Sequence, residues 1–273
     1  MPKEKKISFV FNLNKNAKSD IEGTYAVYLR INFNRQTTNI KPLKDWDIKF
    51  SESDFEEFES GVYVHKDVEQ KAALLETVKT PIEKIIRKEY ERHSGFSLRG
   101  MGQILDAYQK KVVEVLRESL VIEFEGLLAD YLTANDYKFV MSSDDPVHMF
   151  YRASEKTKES IDKVLTDRLR LFFTAYASYS LYFDEVSVEK ASQGGDNPFD
   201  FSVYAWLLEN DPGEFYFYLK GEKYKNNSEP LASFYKVDNN NYNRVKDLIF
   251  NELKKFIQFS RSGDWFFLPE KLE

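Results

Sequence analysis

Alternation of apolar and polar residues opens the chain. Residues 7–13 place Ile7, Phe9, Phe11 and Leu13 on one side, and residues 24–33 do the same with Tyr25, Val27, Leu29, Ile31 and Phe33. A period of two is the period of a strand, because successive side chains point to opposite faces. The two runs therefore predict a sheet with one apolar and one polar face. Residues 14–23 are polar and end in Gly23, which reads as a loop. Asn34-Arg35 predicts a tight turn into a short third strand over 36–41. The expectation is a three-stranded antiparallel meander.

The period then lengthens. Trp46, alone in the polar stretch 42–49, is expected to fold back on the sheet. Residues 51–60 are acidic and read as a short helix or a loop. Over 67–93, Val68, Leu75, Val78, Ile82, Ile85 and Ile86 lie close to helical spacing. Pro81 predicts a kink or a break near Thr80. Ser94-Gly95 reads as a stop, and 97–108, with Gly100 and Gly102, as a weak helix or connector. A domain boundary placed there divides the chain into 1–105 and 106–273.

In the second part, Val113, Leu116, Leu120, Phe124, Leu127, Leu128 and Tyr131 predict a helix over 110–133. Residues 142–146 read as a turn. Ser154 opens a further helix to about Tyr179, with Ile161, Leu165, Leu169, Phe172, Phe173 and Tyr176 inward. Residues 180–189, 199–209 and 214–220 then alternate and predict strands, the last two joined by a turn at Asn210-Asp211-Pro212-Gly213. A fourth strand is expected over 231–237. A closing helix follows Asn239-Asn240-Asn241, with Val245, Leu248, Ile249, Leu253, Phe256 and Ile257 inward. The apolar tail Trp265-Phe266-Phe267-Leu268 is expected to dock. The predicted class is α+β: a small three-stranded antiparallel sheet plus helix, followed by a helical and antiparallel-sheet body.

Composition narrows the function classes. Of 273 residues, 42% are hydrophobic and 16% aromatic, enough for a real core. The chain has no cysteine, which excludes disulfides, thiolate metal sites and cysteine nucleophiles. That fits a reducing compartment, and the expected localisation is cytoplasmic. No apolar run approaches the roughly 18 residues of a membrane helix, and the start reads as neither signal peptide nor anchor, so no membrane partner is expected. Charge is uneven. Residues 1–49 carry ten Lys/Arg against five Asp/Glu, in a chain of formal net charge −6. A basic head on an acidic body permits a polyanion partner at the head.

The first part also resembles a known family. The strand over 7–13, the polar loop, the run Tyr25-Ala26-Val27-Tyr28-Leu29-Arg30-Ile31-Asn32, a turn, a short polar strand, Trp46-Asp47 and a helix from Asp67 follow one another. In this order, residues 7–105 resemble the N-terminal arm-type DNA-binding region of tyrosine recombinases (integrases) from Bacteroidetes mobile elements and phages. The resemblance implies a small sheet that enters the major groove of double-stranded DNA and touches bases with its outer face. A β-ribbon fits that groove, amides suit adenine edges, and arginine suits guanine or phosphate. The residues on the polar side are Asn12, Arg30, Asn32, Thr37, Asn39 and Lys41, with Arg35 in the turn and Lys44 just beyond the strands. The ordinary alternative is that every one-sided sheet has a polar outer face. The family's catalytic domain is not matched. Its His-x-x-Arg box has no counterpart, since the residues three after His65, His93 and His148 are Val68, Phe96 and Tyr151.

Other chemistry finds little support. Three scattered histidines and no cysteine predict no metal. Glu185, Glu189 and Lys190 lack the spacing of a metal nuclease. Gly194-Gly195 lacks the Lys-Ser/Thr of a phosphate loop, and no Gly-x-Ser-x-Gly elbow occurs. No catalytic residue, metal ligand or cofactor is therefore expected. The expectation is a non-catalytic DNA-binding accessory protein of a phage or mobile element. Its acidic, aromatic-rich body would meet a protein partner or self-associate. The alternatives are a protein-interaction subunit of a defence or counter-defence assembly without DNA binding, and an enzyme whose site is assembled from residues distant in sequence.

Overall fold

The computed structural model describes residues 5–15, 23–42, 48–92, 96–135, 165–192, 197–219 and 242–262. The class is α+β: an antiparallel sheet of three strands with a short fourth, followed by helices. The chain divides into two compact units. The first takes residues 1–109, 197–204 and 257–273, and the second takes 110–196 and 205–256.

In the first unit, strands β1 (Ile7–Leu13), β2 (Tyr25–Phe33) and β3 (Gln36–Ile40) form the expected meander in the order β1-β2-β3. The short β4 (Lys49–Phe50) pairs with Tyr25 and Ala26 at the start of β2. Period-two alternation sets the faces. Ile7, Phe11, Val27, Leu29, Ile31, Phe33 and Ile40 are buried, while Arg30, Thr37 and Asn39 between them are exposed.

Helices cover the apolar face. Residues 51–60 resolve into helix α1 (Glu52–Ser60), because Ser51 caps it by accepting from Asp54 N and Gly61 closes it at φ 68°. Phe50, Phe55, Phe58 and Phe11 pack ring to ring at centroid separations of 5.5–6.0 Å. Helix α2 (Lys66–Arg92) buries the predicted stripe, and Tyr90 meets Phe33 edge to face at 5.1 Å. No break falls at Pro81. Proline's fixed φ suits a helix, and its ring is buried in the stripe between Val78 and Ile82. Losing one hydrogen bond and adding a clash costs roughly 3 kcal/mol. Burying five neighbouring aliphatic side chains at about 1.5–3 kcal/mol each outweighs it. A 3₁₀ turn (Leu98–Gly100) and helix α3 (Met101–Gln109) occupy the expected connector.

Glu89 is buried under this layer. Its carboxylate accepts from Arg261 Nε at 2.7 Å, Arg261 Nη2 at 2.6 Å and Tyr108 Oη at 2.9 Å. A charge buried to 2% exposure is tolerable only with such partners.

The second unit contains helices α4 (Val112–Asn135), α5 (Asp167–Ser192) and α7 (Asp211–Leu219), with most of α6 (Val203–Leu208) and α8 (Tyr242–Ser262). Arg168 bridges α4 and α8, donating to Glu123 at 2.6 Å and to Glu252 at 3.0 Å. The expected strands over 180–189, 199–209 and 214–220 are helical instead. Residues 180–189 continue α5, and most of the other two segments falls in α6 and α7. Among the described residues no strand follows Phe50. The physical reason is aromatic and β-branched density. Tyr182 and Val186, and Asp211 and Phe215, are buried at the helical spacing of four, while Val188 and Phe217 are 70% and 50% exposed, so apolar residues on both faces hide the helical period and imitate a strand. Asn210-Asp211-Pro212-Gly213 is a helix start, where the missing proline N–H costs nothing. The Asn210 carbonyl accepts from Gly213 N at 2.9 Å and Glu214 N at 3.1 Å. The expected strand over 231–237, the helix start at Ser154, Trp46 and the tail all lie outside the described residues.

Candidate nucleic-acid interface

The β2–β3 turn fixes everything on the outer face. Asn34 and Arg35 both have positive φ, 50° and 63°, the signature of a two-residue type I′ turn. Such a turn matches the twist of the strands and locks the register at Phe33 opposite Gln36. A one-residue slip would send every side chain to the other face. Gln36 anchors the start of β3, accepting from Leu98 N at 2.7 Å and donating to the Phe96 carbonyl at 3.3 Å.

That register builds cross-strand rows. Ser8, Asn32 and Thr37 form one row: Thr37 Oγ1 donates to Asn32 Oδ1 at 2.7 Å, and Asn32 Nδ2 donates to Ser8 Oγ at 3.1 Å. Val10, Arg30 and Asn39 form the next, where Arg30 Nε donates to Asn39 Oδ1 at 3.3 Å. Asn12 lies opposite Tyr28 in a third and donates to the Val10 carbonyl at 3.0 Å. No residue of the three strands is acidic, although the chain as a whole has more acids than bases.

The structure thus brings Asn12, Arg30, Asn32, Thr37 and Asn39 onto one face. Arg35 is exposed at the turn and Lys41 is exposed beyond the other end of β3. At a strand rise of about 3.3 Å per residue these two cations stand roughly 20 Å apart, enough to flank a major groove about 12 Å wide. Lys44 lies outside the described residues. Not every cation of the basic head gathers here. Lys5 donates to Asn34 Oδ1 at 2.7 Å and to Tyr90 Oη, and Lys15 pairs with Glu52 at 2.7 Å. Three members of the face were missing from the sequence-derived set: Ser8, Val10 and Tyr28. Strand parity alone places them there. Val10 is apolar, yet it is 46% exposed.

The buried carboxylates elsewhere are committed to partners. Asp211 accepts from Tyr179 Oη at 2.6 Å and Tyr182 Oη at 2.9 Å, and Tyr182 also reaches Glu214 at 3.4 Å. Burial pushes the Asp211 carboxyl up to about 6, against the pull of the two tyrosine hydroxyls. Burial likewise raises both tyrosines. Glu185, Glu189 and Lys190 lie on α5. Among the described residues no group of three or more His, Asp or Glu is placed to hold a metal ion, and no helix is long and apolar enough to cross a membrane. No protein-family model, curated protein or solved structure matches the chain.

Proposed function

We propose that this chain is a non-catalytic protein that binds double-stranded DNA by laying the outer face of its N-terminal sheet in the major groove. The resemblance of residues 7–105 suggests a phage or mobile-element setting. The observation that carries the reading is the face itself. Its amides, hydroxyls and single arginine share one surface without a carboxylate, in an acidic chain, and exposed cations stand beyond each end of β3. Phosphate contact needs cations at the edges, and base contact needs short hydrogen-bonding side chains between them.

The test is duplex binding at two salt concentrations. If Arg35 and Lys41 each neutralise one phosphate, affinity falls roughly 12-fold from 50 to 200 mM salt. An Arg30→Ala/Lys41→Ala variant should bind more weakly and lose only about 3- to 4-fold over the same range. No binding by the native chain at 50 mM salt would overturn the reading.

One observation favours protein interaction as a second reading. Between α1 and α2, Val62, Tyr63 and Val64 are 68%, 39% and 79% exposed. Glu57 holds this knuckle rigid, accepting from Val64 N, from His65 N at 2.8 Å and, at 2.8 Å, pairing with His65 Nδ1. Exposed Glu56, Glu59, Asp67 and Glu69 surround it in sequence, which repels DNA and suits an apolar socket with a basic rim on another protein.

A further inference from the structure

Resting on the DNA-binding reading above, we propose that Arg30 and Val10 act together to read a 5-methylpyrimidine followed by guanine, as in a thymine–guanine step. Two features of the central row point to this. Arg30 Nε is held by Asn39 Oδ1 at 3.3 Å, and its terminal nitrogens have no hydrogen-bond partner among the described residues. A guanidinium fixed through Nε presents its outer N–H pair as a fork, the geometry that guanine O6 and N7 accept. Phosphate needs no such fixing, so the Asn39 contact is one that base recognition uses and backbone attraction does not.

The second feature is Val10. It is an exposed aliphatic residue in the middle of a polar face, and the register sets it directly opposite Arg30. Directly opposed side chains have Cβ atoms about 5 Å apart, and neighbouring bases rise about 3.4 Å. A group that contacts guanine through Arg30 therefore places Val10 over the adjacent base. The apolar feature in the major groove is the C5 methyl of thymine, and 5-methylcytosine offers the same group. Asn39 is a positioning residue: it orients Arg30. Asn32, tied to Ser8 and Thr37 on both sides of its amide, is less available for base contact than its neighbours.

The experiment uses the full chain and a pool of duplexes with a randomised core, sequenced after selection. The best site is then remade with thymine, uracil, 5-methylcytosine or cytosine before the guanine. The expected result is enrichment of a thymine–guanine step, with uracil binding about 3- to 5-fold more weakly than thymine through loss of one methyl contact. Equal binding of the 5-methylcytosine duplex assigns the recognition to the methyl group, and weaker binding narrows it to thymine. Val10→Ala should abolish the thymine-to-uracil difference and keep the guanine preference. Asn39→Ala should relax the guanine preference and leave the salt dependence unchanged, which a merely structural role would not do. Circular dichroism of each variant confirms the fold. Enrichment of a word without this step, or equal binding of thymine and uracil, overturns the inference and leaves DNA binding standing. Failure to retain any duplex overturns both.

Discussion

Replacing Asp211 by asparagine should stabilise the protein at neutral pH. Asp211 starts α7 with its carboxylate buried between Tyr179 and Tyr182 of α5, near Glu214 and Lys190. Its carboxyl titrates at about 6 in the fold, against 3.8 for an ordinary aspartate. The folded state therefore holds the proton more tightly than the unfolded state. Stability from this group is fully present below about pH 3.8, is lost as pH rises toward 6, and stays lost above it. A difference of about two pH units corresponds to roughly 3 kcal/mol. Asparagine has the same shape, cannot ionise and keeps a hydrogen-bonding group for each tyrosine. The stability of Asp211→Asn minus that of the native chain should then rise by about 2.4 kcal/mol between pH 4 and pH 7. Urea unfolding of both proteins at pH 4, 5, 6 and 7, followed by circular dichroism, measures it. A difference that stays flat, or that grows toward low pH, would refute the claim that burial dominates the Asp211 environment.

Two further outcomes follow from the first unit. Glu89→Ala leaves Arg261 without its bidentate partner beneath the sheet layer and should cost about 3–5 kcal/mol in urea unfolding. Glu89→Met/Arg261→Met should recover most of that loss, because both charges go together. Arg35→Gly relieves a left-handed backbone at a non-glycine residue and should stabilise the hairpin by about 1 kcal/mol in thermal unfolding. The same change should flatten the slope of log K against log salt by about 1 in duplex binding.

The N-terminal sheet was legible because alternation survives wherever one face meets water. Leu29, Ile31 and Phe33 alternate with Arg30 and Asn32, so both the strand and its polar face could be read from residue order. Register was not legible. That Val10 stands opposite Arg30 depends on a loop closed at the β1–β2 end and on the type I′ geometry at Asn34-Arg35. Residues 180–219 misled for a different reason. Tyr179, Tyr182 and Phe215 are buried in a helical cluster with ring separations of 5.3–5.4 Å, but the exposed side carries Val188 and Phe217 as well as charges, so residue order does not mark the helical period. The Glu89–Arg261 pair, 172 residues apart, left no trace in residue order.

Site-specific crosslinking tests the central claim most directly, and the absence of cysteine makes it clean. Thr37→Cys places one thiol on the outer face of the sheet, and Thr77→Cys places one on an exposed position of α2. Each carries the same photoactivatable crosslinker and is irradiated with duplex DNA at 50 mM salt. The account predicts a protein–DNA adduct from Thr37→Cys and little or none from Thr77→Cys. Equal adducts from both, or an adduct from Thr77→Cys alone, would contradict it.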